Sequence, residues 1–206
     1  MLINCAAYHD GRKLADIDPS GIAAHLRTPG AFVWVALRDA TPDELAAMQQ
    51  QFDLHELAVE DVHHGHQRPK IEEYGSTLFA VMHLIEPSAS EWQLGEVVVF
   101  AGPNFVLSVR NRSGQGFLGV RERCEREPEL LRHGSGFVLY ALMDAVVDRY
   151  FPLLDALEME LEAVETQIFE RGAGRPNVQR LYELKRRATL LRHAVAPLLE
   201  MVDKLH

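Results

Sequence analysis

Up to Arg110, apolar positions come in short runs closed by turn residues, a pattern that predicts strands interleaved with short helices. Ile3 to Tyr8 suits a strand, His9-Asp10-Gly11 a turn, and Arg12 to Ile17 a partner strand. Pro19-Ser20 opens a short helix that Thr28-Pro29-Gly30 ends. Ala31 to Leu37 has no polar interruption, which predicts a central strand buried on both sides. Thr41, Pro42 and Glu44 place an N-cap, a proline in the first turn and the partner of a capping box before a helix to about Phe52. A second short helix is expected over His55 to Val62. Strands follow at Lys70 to Tyr74, Thr77 to Ile85, Leu94 to Phe100 and Phe105 to Arg110, with a hairpin turn at Gly102-Pro103-Asn104. Short loops make neighbouring strands antiparallel, while the early helices act as crossovers, so the sheet should be mixed and largely antiparallel. Gln115 to Arg126 reads as helix and Pro128 to Gly136 as linker.

Beyond Phe137 the period changes from two to three and four. One long helix is expected to carry Leu139, Met143, Val146, Tyr150, Leu153, Leu157, Leu161, Val164 and Ile168 on one face. Asp144, Asp148, Asp155, Glu158, Glu162 and Glu165 line the other. Gly172 to Pro176 supplies a cap and a restart, so a helical hairpin follows. In its second arm Leu181, Leu184, Ala188, Leu191, Val195, Leu198, Val202 and Leu205 form a heptad seam. Pro152 and Pro197 should kink these helices or break a hydrogen bond locally. No Gly, Asn or Pro closes the seam, an arrangement expected of a piece of a longer protein. The expected organisation is an α/β domain over residues 1–133, then a long acidic helix and a basic helix over 134–206.

Composition adds limits. Of 206 residues, 47% are hydrophobic and 25% charged, ordinary for a soluble globular chain with a real core. A net charge of -9 argues against nucleic acid as partner, since no basic cluster would neutralise phosphates. The charge is uneven: a net of -7 between Phe137 and Glu170, and +4 between Arg175 and His206. Cys5 and Cys124 are far apart and read as buried small hydrophobes in a reducing compartment. Met1-Leu2-Ile3-Asn4-Cys5 lacks the basic start and apolar stretch expected of a secretory signal, and no run nears the ~20 apolar residues a membrane span needs. Phe137 to Val147 is too short and contains Asp144.

Three groups of residues could carry chemistry. Glu60-Asp61 lies at the C-terminal end of a short helix, where the dipole disfavours negative charge unless a cation compensates it. Oxygen ligands of this kind suit Mg²⁺. His63, His64 and His66 follow, and with Asp61 could be read as a transition-metal or hydrolase site. The acidic helix face is read as solvated. Gly114-Gln115-Gly116 lacks the full phosphate-loop pattern.

His55-Glu56-Leu57-Ala58-Val59-Glu60-Asp61, with His66-Gln67-Arg68-Pro69-Lys70-Ile71-Glu72, resembles the CorA-type magnesium and cobalt transporters. So do the run Tyr140 to Phe151 and, in order, Val178-Gln179-Arg180, Leu184-Lys185-Arg186 and Pro197-Leu198. The resemblance implies an α/β/α sandwich followed by long helices, forming the cytoplasmic part of a homopentameric channel on the inner face of the membrane. The pore and its Gly-Met-Asn signature are not in this sequence. It further implies regulatory Mg²⁺ (or Co²⁺) sites between subunits, with Glu60, Asp61 and Asp144 as acidic ligands; Asp148 stands in the same motif as Asp144. A zinc-transporting relative with Zn²⁺ as cargo, and a soluble metal enzyme using Asp61, His63, His64 and His66, remain the alternatives; the leading expectation is not an enzyme.

Overall fold

The computed structural model describes residues 1–65, 67–88, 91–172 and 174–205. Seven strands form one sheet: β1 (Leu2–His9), β2 (Arg12–Asp16), β3 (Ala31–Arg38), β4 (Lys70–Tyr74), β5 (Thr77–Glu86), β6 (Gln93–Ala101) and β7 (Phe105–Asn111). Their order is β2-β1-β3-β7-β6-β5-β4. Only β3 and β7 pair in parallel, and every other neighbour is antiparallel. The uninterrupted apolar run of β3 has its predicted consequence: it sits inside the sheet, with Val33, Val35 and Leu37 on one face and Phe32 and Trp34 on the other.

Helices cover both faces. α1 (Ile22–Leu26), α2 (Pro42–Phe52) and α3 (Glu56–His64) bury Ile22, Leu45, Met48, Ala58 and Val62 against Val35, Phe79, Val98 and Phe100. On the opposite face α4 (Leu118–Arg126), α5 (Pro128–Leu131), α6 (Ser135–Asp148), α7 (Phe151–Arg171) and α8 (Arg175–Lys204) share a core with Tyr8, Trp34, Met82, Val97 and Val99. The fold is therefore the expected α/β/α sandwich with a helical hairpin. Each fully buried aliphatic side chain contributes about 1.5–3 kcal/mol to it. The capping box of α2 forms as read: Thr41 Oγ1 accepts from the Glu44 amide at 3.2 Å, and Glu44 Oε2 accepts from the Thr41 amide at 2.9 Å. Cys5 and Cys124 are buried, and burial pushes both thiols up to about 11.

Three helical expectations change. The segment read as a linker after Pro128 contains the turn of α5, whose Leu131 is fully buried. The single long helix is two, interrupted at Arg149-Tyr150. Pro152 has no amide for the Asp148 carbonyl and crowds it, so α6 stops there; the proline then sits in the first turn of α7, where no donor is missed. Tyr150 anchors the break by donating its hydroxyl to the His83 carbonyl at 2.6 Å. Pro197, by contrast, lies inside a continuous α8.

The seam of α8 is the third change. Leu184, Leu191 and Leu198 are buried as expected, but the companion column is Arg187, Ala194 and Met201, while Val195 and Val202 stay exposed. The seam is packed against α7 through Leu153, Leu157 and Val164. Two polar pairs sit in it: Arg187 to Glu160 at 2.7 Å and Arg180 to Gln167 at 3.0 Å. Glu160 takes the inward position, which leaves the neighbouring Leu161 42% exposed.

Candidate divalent-cation site

Ala58, Val59 and Val62 face the sheet, so the 3.6-residue period turns Glu60 outward and leaves Asp61 at the rim of α3. The helix closes at Gly65, whose φ of 60° needs a residue without a Cβ and whose amide donates to the Asp61 carbonyl at 3.0 Å. Asp61 does not wait for an external cation. Its Oδ2 accepts from Lys70 Nζ at 2.7 Å, and the same ammonium lies 2.8 Å from Glu72 Oε2. Burial disfavours the ammonium, but the hydrogen bonds and charges of Asp61 and Glu72 outweigh it and hold Lys70 above the usual lysine value. Tyr74 extends the chain of contacts by donating to Glu72 at 3.1 Å. Glu60 is freer: its side chain is 57% exposed, with His64 Nδ1 3.9 Å away.

Asp144 projects from α6, in the opposite helical layer. Its Oδ2 accepts from Arg123 of α4 at 2.8 Å, with both side chains a little over a third exposed. The hydrogen bond to Asp144 raises the Arg123 pKa. Asp148, one turn on, is exposed. The three acidic residues named from the sequence are thus not brought together within one chain: Glu60 and Asp61 lie on one side of the sheet and Asp144 on the other.

His63 and His64 form the last turn of α3 and are exposed. His66 lies outside the described residues. Among the described residues no three of His, Cys, Asp and Glu are grouped closely enough to hold a metal. Lys70 and Arg123, the internal counter-ions, were not singled out from the sequence. Lys70 stands in a quoted motif, but nothing in its spacing shows that the chain returns to Asp61 before β4 begins.

What these carboxylates can do follows from their pairing. Each ionised carboxylate offers about four lone-pair sites, of which one basic group uses one or two. The remainder faces solvent and can accept from the water shell of Mg²⁺ without displacing the internal partner.

Residues 29–206 match the family described as CorA-like Mg²⁺ transporter protein. The chain belongs to that family. Its relatives are transporters, not enzymes. It is 32% identical over 167 residues to the cobalt/magnesium transport protein CorA of Thermotoga maritima, covering 80% of this chain and 47% of that one. The fold is similar to the full-length CmaX protein, with a TM-score of 0.80 at 22% identity over 99% of this chain and 63% of that one. It also matches the soluble domain of CorA from Methanocaldococcus jannaschii, at a TM-score of 0.66 and 16% identity over 96% and 77% of the two chains. The chain spans 54% and 47% of two curated relatives it matches, about half their length. Among the described residues no helix is long and apolar enough to cross a membrane.

Proposed function

We propose that this chain is the cytoplasmic, ion-sensing portion of a homopentameric divalent-cation transporter, with Mg²⁺ or Co²⁺ as cargo and Mg²⁺ also as regulator. One observation carries the proposal: the acidic pair Glu60-Asp61 and the aspartate Asp144 sit on opposite helical layers of a single chain. An ion shared between these carboxylates therefore has to lie between two copies. The membership of a transporter family and the half-length coverage support the same reading.

The mechanism is a linkage. With no ion bound, Lys70 and Arg123 neutralise Asp61 and Asp144 only in part, and neighbouring copies, each of net charge -9, repel. Mg²⁺ bridging through its water shell offsets that repulsion and favours the closed, symmetric assembly. When cytosolic Mg²⁺ falls, the ion leaves and subunits tilt apart. The ion shifts this equilibrium only by its differential affinity for the closed state, and five equivalent interfaces multiply a modest difference. The partial occupation of each carboxylate by a basic group keeps that affinity low.

The test is Mg²⁺ uptake by the transporter polypeptide carrying this chain, at controlled internal Mg²⁺. Asp61→Asn with Asp144→Asn is expected to keep conducting at internal concentrations that shut the unmodified protein. Unchanged inhibition by internal Mg²⁺ would remove these carboxylates from sensing, whatever the cargo.

A further inference from the structure

Asp61 and its partner Lys70 lie nine positions apart, and the turn from Gly65 to Pro69 that joins α3 to β4 runs between them. The course of that turn decides whether the ammonium reaches the carboxylate. Two residues of the sheet lie beneath it. His83 of β5 and Glu96 of β6 stand directly opposite in the antiparallel register, so both side chains leave the same face. Alternation with Val81 and Val98 makes it the face that α3 covers. His83 Nε2 donates to the Gln67 carbonyl at 2.9 Å. Glu96 Oε1 lies 3.0 Å from the point that a Cβ on Gly65 would occupy, and Gly65 has a φ of 60°. Gly65 thus rests on the carboxylate as closely as a residue without a side chain allows.

The remaining contacts of the turn run back into its own helix or into the core: the Gly65 amide donates to the Asp61 carbonyl, and Pro69 is buried and has no amide to give. Glu96 is costly where it stands. It is 1% exposed; Oε1 accepts from Asn111 Nδ2 at 3.2 Å, while Arg112 Nη2 is 3.7 Å from Oε2, beyond hydrogen-bond reach. A carboxylate buried with so little pairing lowers stability relative to an apolar residue of similar size. Its contribution therefore lies in where it holds the chain above it.

We infer that His83 and Glu96 are positioning residues, which together seat the Gly65 to Pro69 turn and thereby hold Lys70 against Asp61. Both act through the turn, His83 by a hydrogen bond and Glu96 by its shape. With the turn seated, an external cation meets Asp61 in competition with an ammonium that is fixed in place; with the turn loosened, the ammonium moves off and the carboxylate is left open. That consequence rests on Asp61 as an ion ligand, the reading proposed above, whereas the seating itself does not.

The test is the coupling between Asp61 and Lys70, measured without Mg²⁺ by urea unfolding of the chain, Asp61→Asn, Lys70→Met and the double variant. The two changes are expected to interact by about three- to fivefold in the unfolding constant. In His83→Phe, which keeps a ring and removes the donor, the interaction should fall to about onefold. In His83→Gln, whose amide N–H again reaches toward the Gln67 carbonyl, it should recover to at least about twofold. A general loss of packing would shift all four unfolding constants together and leave the coupling as it was. The proposal is overturned if the unmodified chain shows no coupling, if His83→Phe leaves the coupling intact, or if His83→Gln loses it equally. Should His83→Phe not fold, Gly65→Ala decides, since its methyl lifts the same turn off Glu96; undiminished coupling there overturns the assignment. Calorimetric titration of His83→Phe with Mg²⁺ then reads the consequence, and tighter binding than in the unmodified chain is expected. Coupling that falls while Mg²⁺ affinity stays the same upholds the seat and removes Asp61 from ion binding.

Discussion

Lys70 stands 2.7 Å from Asp61 and 2.8 Å from Glu72, one ammonium serving two carboxylates at the point where β4 begins. Removing it changes both stability and ion binding. Lys70→Met is expected to lower the unfolding free energy by about 1 kcal/mol, since the groups are only partly buried. The same change should strengthen Mg²⁺ binding to the chain by roughly fivefold, because a like charge a few ångströms from the ion is gone. Urea denaturation checks the first and calorimetric titration the second, and weaker Mg²⁺ binding in Lys70→Met would show that Asp61 does not meet the ion. His83 gives the second residue-scale expectation. Burial holds its imidazole below the usual histidine range; its Nε2 donates to the Gln67 carbonyl at 2.9 Å, and the unpartnered Nδ1 is buried near Glu96 and Arg112. Below pH about 6.5 the unfolded chain takes a proton that the folded chain refuses, so stability falls as pH drops through the unfolded value. The loss approaches about 1.4 kcal/mol per pH unit and levels off at the lower folded value. Urea unfolding of His83→Gln between pH 7 and 5 should show a flatter profile than the unmodified chain.

At the scale of elements, α8 separates what a pattern specifies from what packing chooses. Leu184, Leu191 and Leu198 are common to two possible stripes, one completed by Leu181, Ala188 and Val195, the other by Arg187, Ala194 and Met201. The second wins because Ala194 and Met201 also meet the core beside the sheet, while Arg187 reaches Glu160 of α7. Leu191→Ala is expected to cost about 2–4 kcal/mol and Val195→Ala less than about 0.5 kcal/mol in the folding of one chain. Equal costs, measured by urea denaturation, would place the seam on the other stripe. Gly172, at a φ of 78°, closes α7 in a conformation that side chains resist. Gly172→Ala should destabilise the hairpin by about 1 kcal/mol.

For the molecule as a whole, the decisive geometry is that candidate ion-binding carboxylates occupy two outer layers separated by the sheet. Such an object can bind an ion jointly only by meeting its own copy. In sedimentation velocity, millimolar Mg²⁺ is expected to raise the apparent mass of the chain, and sodium chloride of equal ionic strength to do so far less, because screening is not bridging. Asp61→Asn with Asp144→Asn should cancel the Mg²⁺ effect. Association that survives the double substitution would locate the contact elsewhere, the exposed Val195 and Val202 edge of α8 being the next surface to change.

The chain's own pattern determined the strands, the two-sided burial of β3, the capping box at Thr41 and Glu44, the hairpin at Gly102 and the mixed sheet, while the sandwich was implied by the family resemblance. These rest on local sterics and on alternation between apolar and polar positions, which neighbours along the chain already contain. Matching motifs also identified Glu60, Asp61 and Asp144 as the acids to examine. Tertiary structure alone decided that Lys70 pairs with Asp61 and Arg123 with Asp144, that Asp144 lies on the opposite layer from Glu60 and Asp61, and which column of α8 is buried. These outcomes depend on which surfaces meet, and a pairing such as Tyr8 with Arg121, over a hundred positions apart, leaves no period or motif by which to read it.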